Sequence, residues 1–147
     1  MELTSPAFDD GGPIPRKHGY AEENVNPPLE ITDVPDSAET LLLIVDDPDA
    51  RDPAGKIWDH WIVWNVDADV GEIPEDWDVD GVEGRTDYGE NGWGGPNPSD
   101  QEHTYRFILY ALDTTLDAPA GASKDAAYDA AEGHVVEKAQ LEGTYEP

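Results

Sequence analysis

The sequence predicts a mainly β fold in a single domain, 1–147, with short C-terminal helices. Three observations carry that prediction. The chain holds 14 Gly and 13 Pro, which punctuate it at short intervals and favour strands and turns over a helical bundle. Three short apolar runs are closed by turn residues. Only one segment, near the end, has helical composition. At 147 residues the chain can bury one real core but not two ordinary ones.

Residues 1–28 are loop-rich, with "DDGGPIP" and "NPP" as turn signals. Glu39 to Asp46, "ETLLLIVD", reads as a buried strand closed by an Asp-Pro turn. Lys56 to Val66, "KIWDHWIVWNV", is a second strand. His103 to Asp113, "HTYRFILYALD", is a third, rich in aromatic and branched residues. The long stretch from Asp67 to Glu102 is crowded with Gly, Pro and Asp. No tight hairpin spans it, so a long loop or further short strands must, as in Greek-key arrangements. The segment "SKDAAYDAAEGHVVEKAQLEG" reads as helical, with Ser123 as N-cap and Gly133 breaking it into two pieces.

The formal net charge is -26, from 34 acidic and 8 basic residues. Highly charged chains poor in apolar residues stay unfolded. This one is 37% hydrophobic with five Trp and six Tyr, so it reads as a folded domain with an acid-coated surface. The balance resembles that of proteins from microbes holding molar salt, where a Debye length of about 3 Å quiets repulsion between exposed carboxylates. Nucleic acid and anionic membrane surfaces are excluded as partners, since both need a basic footprint. Cysteine is absent, so there is no disulfide framework or thiol chemistry. "MELTSPAFDDGG" lacks the pattern of a signal peptide, and no apolar run approaches ~20 residues. The expected location is the cytoplasm.

Strand period two places Trp58, His60, Ile62, Trp64 and Val66 on one face. His60 therefore sits on an apolar face, where a lone histidine is ordinarily a core residue satisfied by a carbonyl. His103, Tyr105, Phe107 and Leu109 share a face of the third strand. If the polar ends of the two strands converge, two imidazoles and a phenol line one cavity, with Asp47 as a carboxylate. Such a group could bind an anion, aided by backbone N–H groups of "GWGGPNP", or run acid–base chemistry. It forms no compact metal motif, and no nucleophile motif stands beside it. No cofactor is expected.

Six blocks resemble, in order, the signatures of the phosphatidylethanolamine-binding proteins, in their prokaryotic Raf kinase inhibitor-like branch. They are "PPLEI", "LLLIVDDPDA", "IWDHWIVWNV", "GRTDYGENGWGGPNP", "HTYRFILYALD" and "GHVVEKAQLEGTY". The resemblance runs from about Phe8 to Tyr145. It implies an antiparallel Greek-key β-sandwich with short peripheral helices and a small pocket for phosphate or carboxylate groups. Carried over by motif, the pocket residues are Asp47, Asp49, Trp58, His60, Gly95, Pro96, His103 and Tyr105. Two positions depart from the family pattern: Arg51 replaces the proline of Asp-Pro-Asp-Ala-Pro, and Thr104 replaces the arginine of His-Arg-Tyr. With Arg106 two positions on, an altered salt-bridge network near the pocket mouth is expected.

Three functions stay open at this point. One is a non-enzymatic binding or regulatory protein for a small anionic or phosphorylated ligand. Another is an inhibitor of a protease or kinase acting through the pocket rim. The third is a hydrolase using His60, His103 and Asp47. A homodimer is expected from the exposed strand edges of a sandwich. "DWDVDGVEGRTD" (Asp76 to Asp87) has part of a calcium-loop spacing, but its eighth and twelfth positions are wrong and flanking helices are missing. His18 in "RKHGY" and His134 read as solvated surface residues. Trp61 reads as core or interface; Trp93 could be core, interface or pocket rim.

Overall fold

The computed structural model describes all residues, Met1–Pro147. Three long strands build its centre: β4 (Thr40–Asp47), β5 (Trp58–Asp67) and β8 (His103–Leu112). Shorter strands precede and separate them: β1 (Glu2–Thr4), β2 (Gly12–Pro13), β3 (Leu29–Thr32), β6 (Glu72–Ile73) and β7 (Val82–Glu83). Two helices, α1 (Arg51–Ala54) and α2 (Lys124–Ala131), and a final strand β9 (Val135–Tyr145) complete the chain.

One sheet has six strands in the order β2-β9-β8-β4-β5-β7, and the other has three in the order β1-β3-β6. β4 and β5 pair antiparallel, and the long 67–102 connection returns β8 to the opposite flank of β4. That is the Greek-key return expected of so long a connection, and it contains the short strands β6 and β7.

β4 is central and buried along its whole length. Its apolar run is continuous because both faces are covered. Leu41, Leu43 and Val45 pack with Trp61, Val63, Phe107 and Leu109 against the small sheet, through Leu29, Ile31 and Ile73. Leu42 and Ile44 pack with Ile62, Trp64 and Ile108 under Ala127 and Ala131 of α2. The molecule is a sandwich with one helix laid on its outer face.

The C-terminal reading needs correction. Ser123 does cap α2, its Oγ accepting from the Ala126 N–H at 3.1 Å. After the helix, Gly133 takes φ +82°, and the chain continues as a strand, not as a second helical piece. Glu137, Lys138, Ala139 and Gln140 are good helix formers, but β9 pairs with β8 from Leu112↔Val135 to His103↔Tyr145. Burial of Leu141 and Tyr145 beside that ladder overrides local propensity.

The face assigned to β5 also needs correction. The β4–β5 register steps from Val45↔Trp61 to Asp46↔Asp59, so His60 is an extra residue, a β-bulge. A second irregularity falls between Leu41↔Val66 and Leu43↔Val63, where Asn65 takes φ +55°. The Asn65 side chain holds that turn, donating to Leu116 O at 3.0 Å and accepting from Leu116 N at 2.7 Å. Ile62 and Trp64 therefore face α2, whereas Val66 faces the sandwich core. Trp58 and His60 leave the apolar face and line a cavity.

Candidate functional site

That cavity, about 210 Å³, opens at the end of the sandwich where β4, β5 and β8 finish or begin. β4 delivers Asp47, β5 delivers Trp58 and His60, and β8 delivers His103 and Tyr105. The chain then adds walls from loops: Ala50, Pro53 and Ala54 around α1, Tyr88 from the long connection, and Asn97 to Ser99.

Asp47 and His103 are both buried and form a pair, His103 Nδ1–H donating to Asp47 Oδ2 at 2.6 Å. The other ring nitrogen donates to Asp100 Oδ1 at 2.7 Å. Burial works against charge on His103, but the hydrogen bonds and fields of Asp47 and Asp100 outweigh it and hold its pKa above the ordinary value. The other Asp47 oxygen accepts from the Asp49 N–H at 2.9 Å, ending β4 in a 3-10 turn.

His60 has the opposite character. Its Nδ1–H donates to Gly94 O at 2.6 Å, which leaves Nε2 as an acceptor. Complete burial depresses its pKa to about 4, so the ring is neutral at neutral pH. Tyr105 stands edge-on to His60, ring centroids 5.2 Å apart, and 6.3 Å from His103. Two buried donors of this recess have no hydrogen-bond partner in the chain: the Trp58 indole N–H and the Tyr105 hydroxyl. Burial also raises the Tyr105 pKa, so its phenol keeps its proton.

Of the eight motif residues, Asp47, Trp58, His60, His103 and Tyr105 line the cavity. Asp49, Gly95 and Pro96 stand behind its walls. Asp49 Oδ2 accepts from the Thr104 N–H at 2.9 Å and so clips the β4 turn to β8. A Cβ on Gly95 would collide with the His18 carbonyl and the Gly19–Tyr20 backbone. Pro96 O accepts from the Tyr20 N–H at 2.9 Å. These residues fix the wall that carries Tyr88 and Asn97.

His18, read as a solvated residue, is fully buried. Its Nδ1–H donates to Val25 O at 2.8 Å, and its carbonyl accepts from the Trp93 indole at 3.1 Å. It pins the N-terminal loop beneath the glycine turn. Tyr88, like Asn97 to Ser99 and the residues around α1, is a cavity residue that motif and period did not single out. Its ring stacks on Tyr20 at 3.9 Å, meets His60 and Trp58 edge-on, each at 5.7 Å, and donates its O–H to Gly95 O at 2.8 Å.

Neither departure, Arg51 nor Thr104, lines the cavity, although each adjoins residues that do. The Arg51 N–H closes the 3-10 turn onto Pro48 O, a bond proline could not make. Arg106 grips Asp46 through two bonds of 2.7 and 2.8 Å on the helix-covered face of the sheet. Lys124 joins there, 3.3 Å from Asp46 and 2.6 Å from Asp59. The expected network exists, but beneath α2 and not at the mouth. The acidic stretch Asp76–Asp87 does not converge as a cation loop. Asp87 accepts from Lys56 and from the Asp59 N–H, and Glu83 accepts from Trp61.

The family model for phosphatidylethanolamine-binding proteins matches residues 4–146. The chain belongs to this family. A UPF0098 protein of Chlamydia pneumoniae is 40% identical over 148 residues, covering 99% of both chains. One from Methanothermobacter thermautotrophicus is 42% identical over 155 residues, covering 99% of this chain and 98% of the relative. The crystal structure of CT736 from Chlamydia trachomatis superposes with a TM-score of 0.95 at 40% identity, covering 99% of this chain and 97% of the other. E. coli YbcL gives a TM-score of 0.90 at 28% identity, covering 99% and 98%. Family membership supports a binding or regulatory protein at a coarse level, and no enzymatic activity is indicated by it. No helix is long and apolar enough to cross a membrane.

Proposed function

We propose that this chain is a non-enzymatic binding protein whose recess holds a small oxyanion, with a phosphate group carrying one proton as the best fit. The observation that carries the reading is the pair of buried, unpartnered donors, Trp58 N–H and Tyr105 O–H, in a recess shared with both imidazoles. A buried donor without a partner costs roughly 1–3 kcal/mol, and an oxyanion oxygen relieves that cost twice here. Neutral His60 offers an acceptor, which a phosphate O–H satisfies and a carboxylate does not. Such a phosphate could be free or a monoester such as phosphorylethanolamine; the diester headgroup of the lipid in the family's description has no P–O–H to offer His60.

Binding is favoured over hydrolysis by the histidines themselves. Both nitrogens of His103 are held by carboxylates, Nδ1 of His60 is held by a carbonyl, and no hydroxyl is hydrogen-bonded to either ring. The acid-rich surface extends the reading to a protein that works at high salt.

Calorimetric titration with inorganic phosphate, phosphorylethanolamine and acetate tests the proposal. Phosphate binding is expected, weakened about tenfold by Tyr105→Phe or Trp58→Phe, each of which removes one donor. Absence of binding, or binding indifferent to both variants, overturns it.

A further inference from the structure

We propose that Asp100 is a specificity-determining residue of this recess: its carboxylate occupies the outer nitrogen of His103, and an incoming oxyanion gains that nitrogen only by displacing it. The inference rests on the reading of the recess as an anion site.

His103 is gripped from two sides by bonds of nearly equal length, 2.6 Å to Asp47 and 2.7 Å to Asp100, but the two partners differ in every other respect. The Asp47 side chain is only 4% exposed, sits at the end of the central strand, and its second oxygen is fixed by the Asp49 N–H. The Asp100 side chain is 38% exposed, belongs to the loop before β8, and no side chain other than His103 bonds it. Asp47 is part of the frame, whereas Asp100 can leave.

The bond Asp100 makes is chemically the one a ligand oxygen would make, an imidazolium N–H to an anionic oxygen. Pro98 and Ser99, which precede it, line the recess, so the same short loop carries both wall and competitor. No lysine or arginine lines the recess, so His103 is its cation, and Asp47 and Asp100 together already offset its charge. A ligand that offers only one charged contact exchanges like for like and gains little. An oxyanion that also takes the Trp58 and Tyr105 donors gains two bonds that Asp100 does not make. The carboxylate thereby sets a threshold that a multidentate phosphate passes and a weaker anion does not.

The test is titration of inorganic phosphate into the full chain, followed by calorimetry and by the histidine-ring 15N signals, for wild type, Asp100→Asn and Asp100→Ser. Denaturation midpoints check that each variant is folded. Asp100→Ser removes the competitor and is expected to bind about tenfold more tightly than wild type. Asp100→Asn keeps an acceptor without the charge and falls between. In Asp100→Ser the His103 signals must move with phosphate at saturation. If wild type binds phosphate and neither variant binds it better, the role of Asp100 is refuted while the anion site stands. If none of the three proteins binds phosphate, the anion site falls and Asp100 with it.

Discussion

His103 and Asp47 form a buried pair across two neighbouring strands, 2.6 Å from Nδ1 to Oδ2, with neither side chain more than 4% exposed. The pair is the frame of the recess, and it sets the protein's response to base. The folded-state pKa of His103 lies above its unfolded value near 6.5. Its contribution to stability is therefore complete below about pH 6.5 and is lost as pH rises through the raised folded value. Histidine NMR titration should give a His103 midpoint above 6.5, and Asp47→Asn should lower it. A His103 midpoint below 6.5 contradicts the pair. Breaking the pair by His103→Ala strands a buried carboxylate and should cost about 3–5 kcal/mol in urea unfolding.

His60 sets the response to acid, with the opposite sign. Its folded pKa is about 4, below its unfolded value, so the unfolded chain takes up a proton that the folded chain refuses. Stability tied to His60 is present above about pH 6.5 and is lost between there and about pH 4. His60→Gln should flatten that part of the pH profile relative to wild type in denaturant midpoints. Parallel profiles for the two proteins would show that His60 is not buried neutral.

Gly95 stands where two loops cross at backbone contact. Gly95→Ala should destabilise the fold by roughly 2–4 kcal/mol, because the added carbon meets backbone atoms of His18 to Tyr20 and not a movable side chain. Thermal melts check this. The variant should also loosen Tyr88, whose hydroxyl bonds the Gly95 carbonyl.

Asp46, 1% exposed, is held by Arg106 and Lys124 beneath α2. Arg106→Ala should cost about 2–4 kcal/mol, since it leaves the buried Asp46 less compensated, whereas Asp46→Ala should cost less, because Arg106 is partly exposed and Lys124 keeps Asp59. Both variants should leave phosphate affinity unchanged, because this network lies on the far face of the sheet from the recess. A loss of affinity at equal stability contradicts that separation.

With a formal charge of -26, the folded chain repels itself at low ionic strength. The melting temperature should rise from about 0.1 M to about 2 M potassium chloride as the screening length shrinks to a few ångströms. A flat or falling melting temperature would show that the surface charges are already compensated by their arrangement.

How far the sequence was readable follows from how local each cause is. β4, β5 and β8 were legible within a residue or two, because buried central strands need long apolar runs and turn residues bound them, Asp47-Pro48 at the end of β4 most plainly. β9 was not. Its "EKAQ" centre prefers a helix, and only pairing with β8, brought alongside by the rest of the chain, makes it a strand. The facing of His60 was hidden for a related reason. A bulge is a property of two strands in register, so the period of one strand places His60 with Ile62 while the structure places it with Trp58. Tyr88 and His18 sit in loops without periodicity, where burial is decided by distant partners, Tyr20 and Gly95 for the one and Trp93 for the other. Asp100, one acidic residue among many, shows its role only through its 2.7 Å approach to His103.

The most direct test of the account is an NMR titration of the 15N-labelled chain with inorganic phosphate, watching the Trp58 indole N–H and the ring nitrogens of His60 and His103. All three sets of signals are expected to move together along one saturable curve, while the indole signals of Trp61 and Trp64 stay still. Phosphate that leaves Trp58 unmoved, or that shifts signals remote from the recess in its place, would contradict it.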